Sequence, residues 1–249
     1  MVTHPAHSQV DLPKISALRA HVLNRPWSGR AGSTDQAVML AIIDKASKAG
    51  TLEVDCSQRE ICERAGITSR VTVRKSLARL QSAGHIECLE KGRRTGRTTT
   101  WRLMEVDPHL LTPHSLGSGS TYDPSHDLFR NKVGMGKAPG RIMHAIEVGM
   151  TDVHQISGKT GISRPTVRKH LGDLKAHGLI TLDVSGNWVC PSSPDYDGLA
   201  EKIGAAGKGQ HQRDVHRAER NALQTYKEHR AMRDKSGETR GSKLLASVT

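Results

Sequence analysis

Aromatic side chains are nearly missing: one Phe, three Tyr and three Trp in 249 residues. So little ring mass excludes one large aromatic core and a base-stacking platform for single strands. Small units packed by Leu, Ile and Val are expected instead. Long apolar runs are missing too, which excludes a membrane-spanning helix. The opening Met-Val-Thr-His-Pro-Ala-His-Ser has no basic stretch followed by an apolar one, so no secretory leader is expected. Four cysteines (Cys56, Cys62, Cys88, Cys190) form no Cys-x-x-Cys pair, which excludes a zinc ribbon and a thioredoxin-type site. They read as free thiols in a reducing cytoplasm. A metal site borrowing His85 is the weaker reading. The 14 His residues show neither His-x3-His nor His-Glu-x-x-His spacing. No catalytic, metal or cofactor site is expected, and the chain reads as a non-enzyme.

One sign of charge is scarce. Lys and Arg number 37 against 25 Asp and Glu, a formal net charge of +12. The excess is uneven: residues 57–103 carry 11 bases and 4 acids, while residues 104–125 carry no base and three acids. Such a distribution is the electrostatic footprint of a nucleic-acid binder, though a weak one alone.

Punctuation by Pro and Gly divides the chain. Residues 1–33 read as an N-terminal arm with at most one helix, near Ile15 to Leu23. Residues 34–104 read as a first domain. Thr34 caps a helix to Ala49, Thr51–Asp55 is a short strand, and Ser57 with Glu60 has capping-box spacing for a short helix to Gly66. A second helix starts at Thr68 or Ser69 and ends at Gly84. Strands Ile86–Glu90 and Thr98–Leu103 follow, joined by Lys91-Gly-Arg-Arg-Thr-Gly-Arg97. Residues 105–125 read as a linker of about 25 Å average span. The order then recurs over 126–190. Helices are expected at about 139–149, 152–160 and 163–177, and strands at Leu179–Val184 and Asn187–Cys190. Residues 191–249 form a basic tail, helical over about 211–235 and disordered at its end. Gly134-Met-Gly-Lys-Ala-Pro-Gly140 fails the phosphate-loop pattern twice, at Asn131 and Ala138, and reads as a loop entering a helix.

The recurrence is explicit in the residues. Ser69-Arg-Val-Thr-Val-Arg-Lys-Ser-Leu-Ala-Arg-Leu-Gln-Ser-Ala-Gly-His-Ile86 aligns with Ser163-Arg-Pro-Thr-Val-Arg-Lys-His-Leu-Gly-Asp-Leu-Lys-Ala-His-Gly-Leu-Ile180, identical at 10 of 18 positions. Two homologous domains follow. In each copy Val73, Leu77 and Leu80, or Val167, Leu171 and Leu174, make one apolar stripe at i, i+4, i+7. Ser69, Arg70, Thr72, Arg74, Lys75 and Arg79, with Ser163, Arg164, Thr166, Arg168 and Lys169, then stand off that stripe. Packing accounts for the recurring Val, Leu and Gly. It does not account for Thr, Arg and Lys recurring at outward positions.

Helix, Gly-containing turn and basic second helix, followed by two strands, resemble the winged helix-turn-helix superfamily. The resemblance covers roughly residues 34–103 and 139–190. It implies an α+β, mainly helical fold: two winged-helix domains in tandem plus a C-terminal basic helix. The helices that begin at Ser69 and Ser163 would then enter major grooves. Arg93, Arg94 and Arg97 on the first wing would lie along phosphates or in a minor groove. The stretches from Trp27-Ser-Gly-Arg, from His126-Asp-Leu-Phe-Arg and after Gly207 also look like the DNA-binding region in replication proteins of actinobacterial-type plasmids and integrative elements.

The expected function is sequence-specific binding of double-stranded DNA, in transcriptional regulation or in recognition of a replication origin on a mobile element. The alternative is a replication or partition adaptor that binds DNA with one domain and a protein partner with the other domain or with the C-terminal helix; a protein partner or self-association is possible through about residues 211–235. No membrane contact is expected, and the expected location is cytoplasmic and nucleoid-associated.

Overall fold

Two apolar clusters organise the molecule, and each is built around a helix buried on nearly every side, over residues 35–43 in one and 139–146 in the other. The computed structural model describes residues 11–92, 98–105 and 122–245, with side chains as far as residue 233. The expected linker is described only at residue 105 and residues 122–125; its residues 106–121 lie outside those ranges, as do the wing residues Arg93, Arg94 and Arg97. The chain divides into two compact units at Gly209.

In the first cluster the central helix is α2 (Gly32–Ala49), which ends at Gly50 with φ +71°. Its Val38, Ile42 and Ile43 are fully buried. The arm's one helix is α1 (Leu12–Asn24), whose Ile15, Leu18 and Val22 pack into the same cluster. The reason is spacing: Ile15, Leu18 and Val22 fall at i, i+3, i+7, enough for one buried stripe even beside Pro13. Strand β1 (Glu53–Asp55) leads to α3 (Gln58–Arg64) and α4 (Arg70–Ser82). Strands β2 (Ile86–Glu90) and β3 (Thr100–Leu103) then close an antiparallel sheet in the order β1-β3-β2. Trp101 sits at its centre, opposite Val54 on one side and Cys88 on the other.

The second cluster gathers residues between Tyr122 and Ala205. A 3-10 turn (Asp127–Phe129) precedes α5 (Lys137–Glu147), α6 (Val153–Thr160) and α7 (Arg164–Ala176). Ile142, Ile156, Val167 and Leu174 are fully buried among them. Burying each such side chain contributes about 1.5–3 kcal/mol. Strands β4 (Thr181–Leu182) and β5 (Trp188–Val189) are shorter than the pattern suggested. Leu179 and Ile180 drop into the core under α7 rather than joining the hairpin. Helix α8 (Tyr196–Lys202) packs on the 3-10 turn, with Tyr196 edge-on to Phe129 at 5.5 Å.

The second unit begins at Gln210 and is carried by α9 (Lys208–Leu245). This helix runs on through the stretch that composition marks as disordered. No proline interrupts it, and pairs such as Gln210–Asp214 and Gln224–Glu228 at i, i+4 support the turns, each contributing about 0.2–0.5 kcal/mol. No helix among the described residues is long and apolar enough to cross a membrane.

Candidate nucleic-acid interface

Helix α6 is started by Asp152, whose Oδ1 accepts from the His154 and Gln155 amides at 2.7 and 2.9 Å. It stops at Gly161, φ +69°, a conformation that glycine adopts without a steric cost. Ser157 donates its hydroxyl to the Ile162 carbonyl at 2.7 Å, pinning the turn. Ser163 then holds the N-cap position of α7 without a side-chain cap bond, and Pro165 stands in the first turn, a position that suits proline. Val167, Leu171 and Leu174 anchor α7. Arg164, Thr166, Arg168 and Lys169 therefore stand exposed on the other side. Ser163 and Thr166 share a hydroxyl–hydroxyl bond of 2.8 Å, and Arg164 reaches His154 Nδ1 at 2.6 Å. Thr166, Arg168 and Lys169 are left presenting a hydroxyl and two cations side by side.

Helices α3 and α4 repeat the geometry. Ser57 accepts from the Glu60 amide at 3.2 Å, and Ser69 from the Thr72 amide at 3.4 Å. Between them Gly66 has φ +58°. Arg70, Arg74 and Lys75 are exposed and Thr72 is half-buried. Arg79 is exposed but has a partner within the protein. Its guanidinium donates to Asp35 of α2 with bonds of 2.9 and 2.7 Å, and Ser76 donates to the same carboxylate at 2.6 Å. Arg79 thus ties α4 to α2. His154 and Asp35, which position Arg164 and α4, were not singled out from the sequence. The first-turn acid Asp35 facing an Arg on another helix was the only available signal.

The hairpins differ. In the first, Arg102 on β3 is held by Glu53 and Glu87 at 2.7 and 3.0 Å, one cation between two carboxylates. The second closes on Asp183, whose carboxylate accepts from the Ser185 and Asn187 amides at 2.8 Å each. Those bonds, that from Asn187 foremost, hold its pKa below the usual value. Cys56 and Cys62 are buried, which pushes their thiols up to about 12 and about 11, so they pack as apolar groups. Among the described residues no group of three or more His, Cys, Asp or Glu is placed to hold a metal.

Residues 141–181, from within α5 to the start of β4, match the family described as "Bacterial regulatory protein, arsR family", a helix-turn-helix. The matched span holds α6, the turn and α7. With the hairpin that follows, it defines a winged helix-turn-helix DNA-binding protein. No curated protein and no solved structure matches the chain.

Proposed function

We propose that this chain binds double-stranded DNA sequence-specifically through two winged-helix units, residues 34–104 and 126–190, and acts as a regulator at a promoter or at a replication origin. The observation that carries the reading is the doubled Thr-Val-Arg-Lys, with Arg74, Lys75, Arg168 and Lys169 on the exposed faces of α4 and α7. Arg at such a position reads guanine bidentately, Thr meets phosphate or the thymine methyl, and Lys neutralises phosphate. Arg70 and Arg164 lie one residue after the N-caps, in reach of the backbone. Arg93, Arg94 and Arg97, which lie outside the described residues, would add phosphate contacts to the first unit. Exposed Val215, Leu223, Tyr226 and Met232 on α9 favour an additional protein contact for the tail, the feature on which the adaptor reading rests.

Selection of the full chain on a random duplex pool tests the proposal. The expected result is enrichment of a defined duplex that single strands of the same sequence do not replace. A pool that stays random after repeated rounds contradicts it.

A further inference from the structure

The two halves touch each other reciprocally. Trp27, five residues before α2, donates its amide to the Thr160 carbonyl at the end of α6, 3.1 Å. Asn131, six residues before α5, donates its amide to the Gly66 carbonyl just after α3, 3.3 Å. Each helix-turn-helix is therefore braced at its turn by the segment leading into the first helix of the other half. The glycines of the two turns report the same closeness. A Cβ at Gly161 would lie 2.9 Å from the Ser28 amide nitrogen and hydroxyl, and one at Gly66 would lie 2.6 Å from Lys137 Nζ and 2.7 Å from the Pro124 carbonyl. The two first helices, α2 and α5, also pack on each other.

A contact in which a meets b′ while b meets a′ is isologous, the signature of a two-fold axis. A head-to-tail arrangement would use the contact once and leave the other turn uncovered. Resting on the DNA-reading proposal above, we infer that the two halves form an internal pseudo-dimer, and that one chain reads an imperfect inverted repeat of fixed spacing. Operator near-palindromy mirrors protein two-fold symmetry. The spacing is set by these contacts rather than by the reach of residues 105–125.

The symmetry is broken at the side chains. Arg141 of α5 bridges the halves on one side, donating to the Trp27 carbonyl at 3.3 Å, to the Ser33 hydroxyl at 2.9 Å and to the Thr160 carbonyl. On the other side the space is filled by Lys137, which donates to the Pro124 carbonyl. The outward helices differ as well, at Val71 against Pro165 and at Thr72, half-buried where Thr166 is exposed. The two half-sites are accordingly related but not identical.

The test uses the full chain and the duplex enriched from a random pool. The enriched sequence should contain two related half-sites in inverted orientation, and native mass spectrometry should find one chain per duplex. Inserting about five base pairs between the half-sites, half a turn, should lower affinity about a hundredfold, because the second contact is lost. A direct repeat, a lone half-site, two chains per duplex, or indifference to the insertion would overturn the pseudo-dimer while leaving DNA binding intact. A pool that never enriches would instead remove the DNA-reading proposal itself, and this inference with it.

Discussion

Several of the chain's basic residues are buried, and so is His144. Arg130, Lys137, Arg141 and His144 are each no more than 3% exposed. Burial pushes the Lys137 ammonium well below its ordinary value, with Arg130 adding to the effect, and brings Arg141 down to about 10. His144 is lowered from 6.5 to about 4, by burial first and then by Lys159 and Arg141. Its consequence has a definite sign. Between pH 6.5 and 4 the unfolded chain takes up a proton on His144 that the folded chain refuses, so stability falls as pH falls through that window. The loss should approach about 3 kcal/mol by pH 4. His21, His85 and His170, all lowered mainly by burial, act in the same direction. Urea midpoints of wild type and His144→Leu at pH 7 and pH 4.5 check this: the variant should lose less. Equal losses would contradict the assignment. The exposed Arg74, Lys75, Arg168 and Lys169 were legible because Arg and Lys recur where packing does not require them, whereas Thr72 is half-buried. Burial of Lys137 and Arg141 was not, since it depends on contacts between segments far apart in the chain.

At the scale of the elements, α4 is held to α2 by a small polar knot. Asp35 is 8% exposed and accepts from both Ser76 and Arg79. Asp35→Ala would leave the fully buried Ser76 hydroxyl and the Arg79 guanidinium without that acceptor, at a cost of about 1–3 kcal/mol. Chemical denaturation should show this as a lower midpoint with an unchanged slope. A shift within experimental error would mean that α4 is held by Val73, Leu77 and Leu80 alone. Element order was largely legible. Ser57 and Ser69 cap α3 and α4 as their spacing suggested, and Gly50, Gly66, Gly84 and Gly161 sit at the expected breaks. Helix α1 lies where the apolar stretch Ile15 to Leu23 allowed one helix; its packing into the first core was not foreseen. One error has a physical cause. Strands β4 and β5 were overextended because alternation does not reveal that Leu179 and Ile180 serve the helical core.

For the whole molecule, composition foretold small aliphatic cores, and two form, one over Ile15–Leu103 and one over Tyr122–Ala205. The internal repeat is the ground for proposing two similar halves. What no single-sequence pattern carries is how the halves meet, because Trp27, Gly66, Asn131 and Thr160 become partners only once both are folded. The central claim is that both halves read DNA. The most direct measurement is the affinity of Arg74→Ala and Arg168→Ala for the enriched duplex at physiological salt. Both side chains are exposed, so neither change disturbs a core. Each variant is predicted to lose about 1–3 kcal/mol and to relax preference at a different base pair. If one of the two binds with wild-type affinity and specificity, its half of the molecule does not read DNA, and the account is contradicted.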